Sequence, residues 1–225
     1  MKQKIVKIRL FSCILALVGL ISCEKTKEIK VTEKEVLEET NTYVIKAKYP
    51  VFDLEELDRE VVKTFDDYVQ TCKKESAEQA HEEWFVPFEL VENYRTEILD
   101  NRYVSVNLQV YYSSGGAHGM TFNNTLTYDA KAKKFLQIAE LLGGDERQFV
   151  KMVKEKLKKK LDEGNFVDDG VVDVQSLGKF ILTSAGVEFI FNPYEVAAYA
   201  YGTVSVLVAY DEYPFNLENE KSEKK

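Results

Sequence analysis

Arg102-Tyr103-Val104-Ser105-Val106-Asn107-Leu108-Gln109-Val110-Tyr111-Tyr112-Ser113 decides the fold class. Val104, Val106, Leu108, Val110 and Tyr112 fall on one face of this stretch, and Ser105, Asn107 and Gln109 on the other. A period of two sustained this long is a β-strand with one apolar side. Asp100-Asn101 precedes it, and both residue types tolerate the positive φ angles of a two-residue hairpin turn. Phe88–Leu99 is therefore predicted to pair with it. Met120–Asp129 alternates again, with Phe122, Leu126 and Tyr128 opposite Thr121, Asn123, Thr125 and Thr127. Three antiparallel strands with one wet face are the simplest arrangement.

Working toward the N-terminus, Asn41–Val51 carries Tyr43, Ile45, Ala47 and Tyr49 on one face, a further strand signal. Asp53 and Glu56 have capping-box spacing and open a predicted helix. Leu54, Leu57, Val61, Phe65, Tyr68 and Cys72 follow at steps of three and four as its apolar stripe. The segment from Glu75 to Glu83 is polar and without period. Toward the C-terminus, Ile138–Leu142 is predicted as a short helix stopped by Gly143-Gly144. Asp145 caps the next helix, with Phe149 or Val150, Val153, Leu157 and Leu161 as its buried stripe and Gly164 as its end. Phe180–Leu182 and Val187–Phe191 read as a hairpin turned at Ser184-Ala185-Gly186, and Thr203–Tyr210 as a last strand. The class is α+β: antiparallel sheets with helices packed on one side, in two sub-domains over 41–144 and 145–215. Residues 216–225 read as a polar, disordered tail.

The N-terminus addresses location. Lys2, Lys4, Lys7 and Arg9 make a positive region, and Leu10 to Ile21 an apolar run too short to span a bilayer. Leu20-Ile21-Ser22-Cys23 then matches the bacterial lipobox, in which the cysteine sulfur is acylated and becomes the new N-terminus. The expectation is a leader over 1–22, a lipidated Cys23, and a Glu-, Lys- and Thr-rich tether over 23–40, with a first strand at Glu28–Thr32. The protein is then exported and held to a bacterial membrane, periplasmic or at the cell surface.

Bulk composition agrees with an exported globular protein. Of 225 residues, 45% are hydrophobic and 12% aromatic, enough for a real core. Formal net charge is -8, and loss of the four cationic leader residues takes the mature chain to about -12. That balance argues against nucleic acid and anionic headgroups as partners and permits a cationic one. Once Cys13 leaves with the leader and Cys23 is acylated, Cys72 alone remains in the folded part, so no intrachain disulfide forms there. Its place on a helical apolar stripe makes it a small core residue.

Two segments concentrate chemistry-bearing residues. The first is Ser113-Ser114-Gly115-Gly116-Ala117-His118-Gly119, a strand connection whose glycines imply unusual backbone angles or a close approach. His118 is there either as a ligand-binding or general-base side chain, or as a hydrogen-bonded lock on the turn. The second is Asn192-Pro193-Tyr194-Glu195-Val196-Ala197-Ala198-Tyr199-Ala200-Tyr201-Gly202. Tyr194, Tyr199 and Tyr201 with Glu195 offer flat amphipathic area suited to protein or sugar, or else the tyrosines close one end of the core and Glu195 bonds backbone amides. Metal spacing is lacking: there is no His-Glu-x-x-His and no paired Cys, and Asp168-Asp169-Gly170 is too short for a calcium loop. Gly115-Gly116-Ala117-His118-Gly119 fits neither phosphate-binding fingerprint. No nucleophile elbow and no defined carboxylate pair is present, so no catalytic residue, metal or cofactor is assigned.

Together these segments resemble the extracytoplasmic region of RsiV-type anti-sigma proteins and the N-terminal region of PdaC-type peptidoglycan deacetylases. The resemblance rests on Tyr112 to Gly119, on Thr127-Tyr128-Asp129 with Phe135 and Leu136, and on Phe180, Phe189-Ile190-Phe191, Pro193-Tyr194-Glu195 and Ala198-Tyr199-Ala200-Tyr201-Gly202. It implies a two-part extracytoplasmic module, spanning roughly Thr42 to Tyr213. In the family, the anti-sigma member uses this region as a lysozyme receptor, and the deacetylase carries its catalytic domain separately, downstream. A chain read to Lys225 leaves no room for that domain. The implied function is a lipid-anchored, non-catalytic binding or sensing module for a lysozyme-like basic protein or cell-wall glycan. Contacts would come from Tyr194, Glu195, Tyr199, Tyr201 and the loop of Gly115, Gly116 and His118. The competing reading is an envelope hydrolase or deacetylase-associated protein that uses His118.

Overall fold

The computed structural model describes residues 28–162, 164–167 and 172–218, together with the backbone of Arg9–Leu10. Cys23, Asp168-Asp169-Gly170, residues 219–225 and all of the leader except Arg9–Leu10 lie outside the described residues. Strands β1 (Arg9–Leu10), β2 (Val31–Glu39), β3 (Tyr43–Phe52), β4 (Phe88–Leu99), β5 (Tyr103–Ser113), β6 (Met120–Asp129) and β7 (Lys134–Phe135) lie in chain order in one sheet. Strands β8 (Phe180–Leu182), β9 (Gly186–Phe191) and β10 (Val204–Ala209) form a second sheet with β9 central. The helices are α1 (Glu55–Gln79), α2 (Ile138–Leu141) and α3 (Glu146–Leu161). The class is α+β, as the periodicities require.

The chain forms two compact units that interleave. The first holds residues 28–94 and 110–119 of the described chain, the second 95–109 and 120–218. A single division between 144 and 145 does not describe this arrangement. Strands β4 and β5 are 12 and 11 residues long, and each contributes to both units.

In the first unit, β2 pairs antiparallel with β3 along its whole length, from Val31 opposite Phe52 to Glu39 opposite Val44. The expected tether therefore stops at residue 30, because Val31–Glu39 finds a partner for every residue. Its charges also pair across strands, with Lys48 Nζ 3.3 Å from Glu33 and 2.7 Å from Glu35. Between β3 and β4 the pairing is parallel, Ile45 opposite Leu90 and Ala47 opposite Glu92. This corrects the expectation of wholly antiparallel sheets. A 25-residue helix between two strands carries the chain back to the edge it started from, as parallel pairing demands. Helix α1 buries Leu57, Val61, Phe65 and Cys72, and the Tyr49 and Phe65 rings meet at 5.2 Å. Burial pushes the Cys72 thiol up to about 11, so it is an inert core residue. The expected capping box at Asp53 is not what starts the helix. Leu54 is the N-cap, and Asp58 accepts the Phe52 backbone N–H at 2.6 Å.

In the second unit, Asp100 and Asn101 have φ of 52° and 50°, and the Arg102 N–H reaches the Leu99 carbonyl at 3.0 Å. These are the angles of the expected hairpin turn. Asp145 caps α3 by accepting the Arg147 N–H at 2.8 Å. The helix ends not at Gly164 but at Leu161, where Asp162 takes the positive φ of 58°. Phe149 packs edge-on to Phe189 at 5.5 Å and beside Tyr213 at 4.6 Å in the core. The polar face of β5 is dry over Ser105 and Asn107 and wet only at Gln109. Ser105 and Asn107 are buried, because β8 docks on that face: the Leu182 N–H donates to Ser105 Oγ at 2.9 Å, and Thr127 Oγ1 to the Phe180 carbonyl at 3.1 Å. Nor does the tail start at 216, since Asn216 bonds the Leu141 and Leu142 carbonyls and the Glu218 N–H bonds Tyr103 Oη at 3.1 Å.

Candidate functional site

The two candidate segments fall in different units, so each is a local construction. In the first unit, Ser113 ends β5 and the chain bends through Gly115, whose φ is 81°. A side chain at Gly115 would also press on Val86, with a Cβ only 3.1 Å from the Val86 Cβ. Gly116 has nothing within 4 Å of such a Cβ, and it is exposed, as is His118. The His118 ring places Nδ1 3.3 Å from the Gly119 carbonyl. Gly119, not singled out for a role in the sequence, has the tightest contact: an added Cβ would lie 2.4 Å from the Tyr111 ring. The loop is thus shaped by Gly115 and Gly119, while Gly116 and His118 present themselves to solvent.

The turn of the second unit is a rigid construction with an exposed rim. Its underside is Val196 and Ala197, both buried. Asn192 fastens its start, accepting from Asn123 of β6, and the Asn123 amide also donates to Thr203 Oγ1 at 2.9 Å. Glu195 accepts the Asn192 N–H at 2.8 Å and Lys179 Nζ at 2.8 Å. Its carboxylate therefore holds the turn closed, which makes Glu195 a positioning residue. Tyr194 then sits at φ of 71°, a region costly for a residue with a bulky side chain, and is 58% exposed. The Tyr194 ring lies 5.5 Å from that of Tyr199, tilted by 32°, and Tyr201 is 44% exposed. Gly202, at φ of 62°, turns the chain into β10. The result is a paired aromatic face carried on a braced backbone.

One residue went unnoticed in the sequence. Trp84 is 86% exposed, on the connection between α1 and β4. It is the single tryptophan of the chain and follows directly on the polar stretch ending at Glu83, at the head of Trp84-Phe85-Val86, which is the signal that marks it. Elsewhere in the first unit, a concavity of about 350 Å³ is lined by Val36, Leu37, Lys46, Lys48 and Val91. His118 is not part of it. Among the described residues no group of three or more His, Cys, Asp or Glu side chains is placed to hold a metal ion.

Comparison with known proteins matches this architecture in two pieces. The family model Deacetylase PdaC matches residues 36–121, and the model Protein of unknown function (DUF3298) matches residues 139–211. The matches support a PdaC-like module followed by a DUF3298-like domain. The PdaC-type match takes in Gly115, Gly116 and His118, and the DUF3298 match takes in Tyr194, Glu195, Tyr199 and Tyr201. A relative is the peptidoglycan-N-acetylmuramic acid deacetylase PdaC of Bacillus subtilis, 23% identical over 216 residues. That alignment covers 87% of this chain and 46% of the relative, so the chain spans about half the relative's length. Two solved DUF3298 structures share the fold. The protein from Bacteroides fragilis has a TM-score of 0.59 at 16% identity, covering 81% of this chain and 91% of its own. The protein from Pseudomonas aeruginosa has a TM-score of 0.58 at 18% identity, covering 82% and 91%. Among the described residues, no helix is long and apolar enough to cross a membrane.

Proposed function

We propose that this chain is a non-catalytic binding module of the bacterial cell envelope, and that its DUF3298 domain takes a cell-wall glycan on the Tyr194–Tyr199 face. The observation that carries the reading is the strained, braced turn at Tyr194. A tyrosine at positive φ with its ring in solvent is a standing cost. The brace from Glu195 and Asn192 keeps the ring pair preorganised for a flat ligand. Aromatic faces with hydroxyl tips suit the alternating C–H and O–H surface of a sugar. Likeness to a deacetylase of peptidoglycan supports an extracytoplasmic setting and a wall polymer as ligand.

The test uses the mature protein from Glu24 onward with purified peptidoglycan in sedimentation and with N-acetylglucosamine oligomers in calorimetry. Saturable binding is expected, weakened about tenfold, or about 1.4 kcal/mol, by Tyr194→Ala. Folded protein that binds neither ligand overturns the reading. Turnover of a wall substrate that disappears in His118→Ala overturns its non-catalytic part.

The acidic net charge favours a second partner class, a basic lysozyme-like protein steered by salt-dependent attraction. Binding to lysozyme at low salt that fades at moderate salt supports it, and no binding at low salt removes it. The anchor proposed for the module is an acyl group on the Cys23 sulfur, with residues 1–22 removed. Mass spectrometry of the exported protein is expected to show that modified N-terminus, and an unmodified chain cut elsewhere overturns it.

A further inference from the structure

We infer that Trp84 and the acidic turn around it form a separate contact surface, within the PdaC-type module, for a cationic amino-sugar oligomer. The turn is held from the inside. Phe85 stacks on Phe88 at 6.1 Å, Phe88 meets Tyr112 edge-on at 6.0 Å, and Tyr112 Oη donates to Glu75 at 2.6 Å. Backbone bonds from Glu82 N–H to the Gln79 carbonyl and from Phe85 N–H to the Glu82 carbonyl set the bend. With Phe85 as the anchor, its neighbours Trp84 and Val86 point out, 86% and 52% exposed. An indole in water still has apolar area to bury, so a flat ligand seated on its face is favoured.

The surroundings select the ligand. A Cβ at Gly115 would lie 3.1 Å from that of Val86, which sets the glycine loop beside the turn, and open space above Gly116 admits a ligand to the backbone. Helix α1 ends here with no Lys or Arg in its last turn, so the partial negative charge of its C-terminus is not offset. Glu78, Glu82 and Glu83 are exposed on the same stretch. Carboxylates, a helix C-terminus and an indole face all attract a cation and repel an anion. The apolar area is one indole and one valine, which matches a single pyranose ring and falls far short of the roughly 1,000 Å² of a stable protein interface. A glucosamine ring meets both demands, with C–H bonds for the indole and a protonated amine for the carboxylates. Its N-acetylated form meets only the first.

The single tryptophan makes the test direct. Trp84 emission is followed while glucosamine oligomers are titrated into the mature protein, with N-acetylglucosamine oligomers of equal length as comparison. The expected result is a saturable quench or blue shift with the cationic oligomers, weakened about tenfold between low and about 0.5 M salt. Calorimetry is expected to show at least an equal loss in the Glu82→Gln, Glu83→Gln double variant and in Trp84→Ala, both checked for folding by circular dichroism. Emission that does not respond overturns the inference. So does an equal response to the neutral oligomers, or a response that survives the double charge removal. Tyr194→Ala is expected to leave the Trp84 titration unchanged, so failure here and failure at the DUF3298 turn are read separately.

Discussion

The side-chain oxygen of Asn192 takes both the backbone N–H of Asn123, at 2.7 Å, and its side-chain amide, at 2.9 Å. One residue of the aromatic turn thus saturates a strand residue 69 positions earlier. Asn123 in turn accepts from Asn107 Nδ2 at 3.0 Å, inside the same unit. Asn192→Ala would leave the Asn123 N–H without a partner. The expected cost is about 1–3 kcal/mol, read as a lower urea midpoint. Glycan binding is expected to fall with it, because the turn under Tyr194 loses its side-chain tie to β6 and keeps only the Glu195 bonds.

Glu92 should make stability fall as pH rises. Its carboxylate is buried below β4, and neither oxygen has a hydrogen-bond partner among the described residues. Burial pushes its pKa up to about 8. The unfolded group ionises near its ordinary value of 4.5 and the folded one only near 8, so between those values the native state holds the extra proton. Stability is highest below about 4.5 and declines by up to about 1.4 kcal/mol per pH unit until about 8. Urea midpoints at pH 5, 7 and 9 should show this slope in the parent and lose most of it in Glu92→Leu. A Glu92→Leu variant with the parent's slope contradicts the assignment.

Acid acts through a different pair. Arg102 grips Asp129 with Nε at 3.0 Å and Nη2 at 2.6 Å, both side chains almost fully buried. Burial alone would raise the Asp129 carboxyl. The Arg102 bonds and the backbone N–H groups of Ala132 and Lys131 outweigh it and hold the group below the usual range. A depressed carboxyl contributes stability above its unfolded pKa and loses it as pH falls through the folded value. Asp129→Ala is expected to cost about 3 kcal/mol at pH 7, since a buried guanidinium loses its two-point partner and keeps only the exposed Glu218, 3.0 Å from Nη2. The double replacement Arg102→Met, Asp129→Leu should cost less than Asp129→Ala, as thermal melts will show.

Two glycines should respond oppositely to alanine. At Gly186 a Cβ would lie 2.2 Å from the Val208 carbonyl oxygen and 2.7 Å from the Ala209 Cα, backbone that cannot move without breaking the β9–β10 ladder. Gly186→Ala is expected to lose about 3 kcal/mol or more, or to fail to fold. Gly116→Ala meets nothing within 4 Å and should stay within about 0.5 kcal/mol of the parent. Chemical denaturation of both variants decides it. A destabilised Gly116→Ala would mean the loop packs differently.

Strand β5, the Asp100-Asn101 hairpin, the stripe of α1 and the Asp145 cap were all legible, because each rests on neighbours within a few residues. The parallel partner of β3 was not, since pairing direction depends on where a 25-residue helix delivers the chain. The Tyr194 turn was visible as a cluster of aromatic residues between strands, but that Glu195 bonds Lys179 and the Asn192 N–H depends on a partner 16 residues away and on the closure of the turn. Trp84 was passed over because an exposed ring leaves no periodic trace.

The sequence by itself determined what depends on local repetition: strands of period two, helices with one apolar stripe, turn residues, an acidic balance and an N-terminal segment with the pattern of a lipoprotein leader. Only the tertiary structure decided which polar faces are dry. Ser105, Asn123 and Thr127 alternate as solvent-facing residues do, and they are buried because partners from β8 and the Asn192 turn, dozens of residues away, satisfy them. A hydrogen bond does not depend on sequence separation, so a polar side chain reads the same whether water or a distant strand completes it.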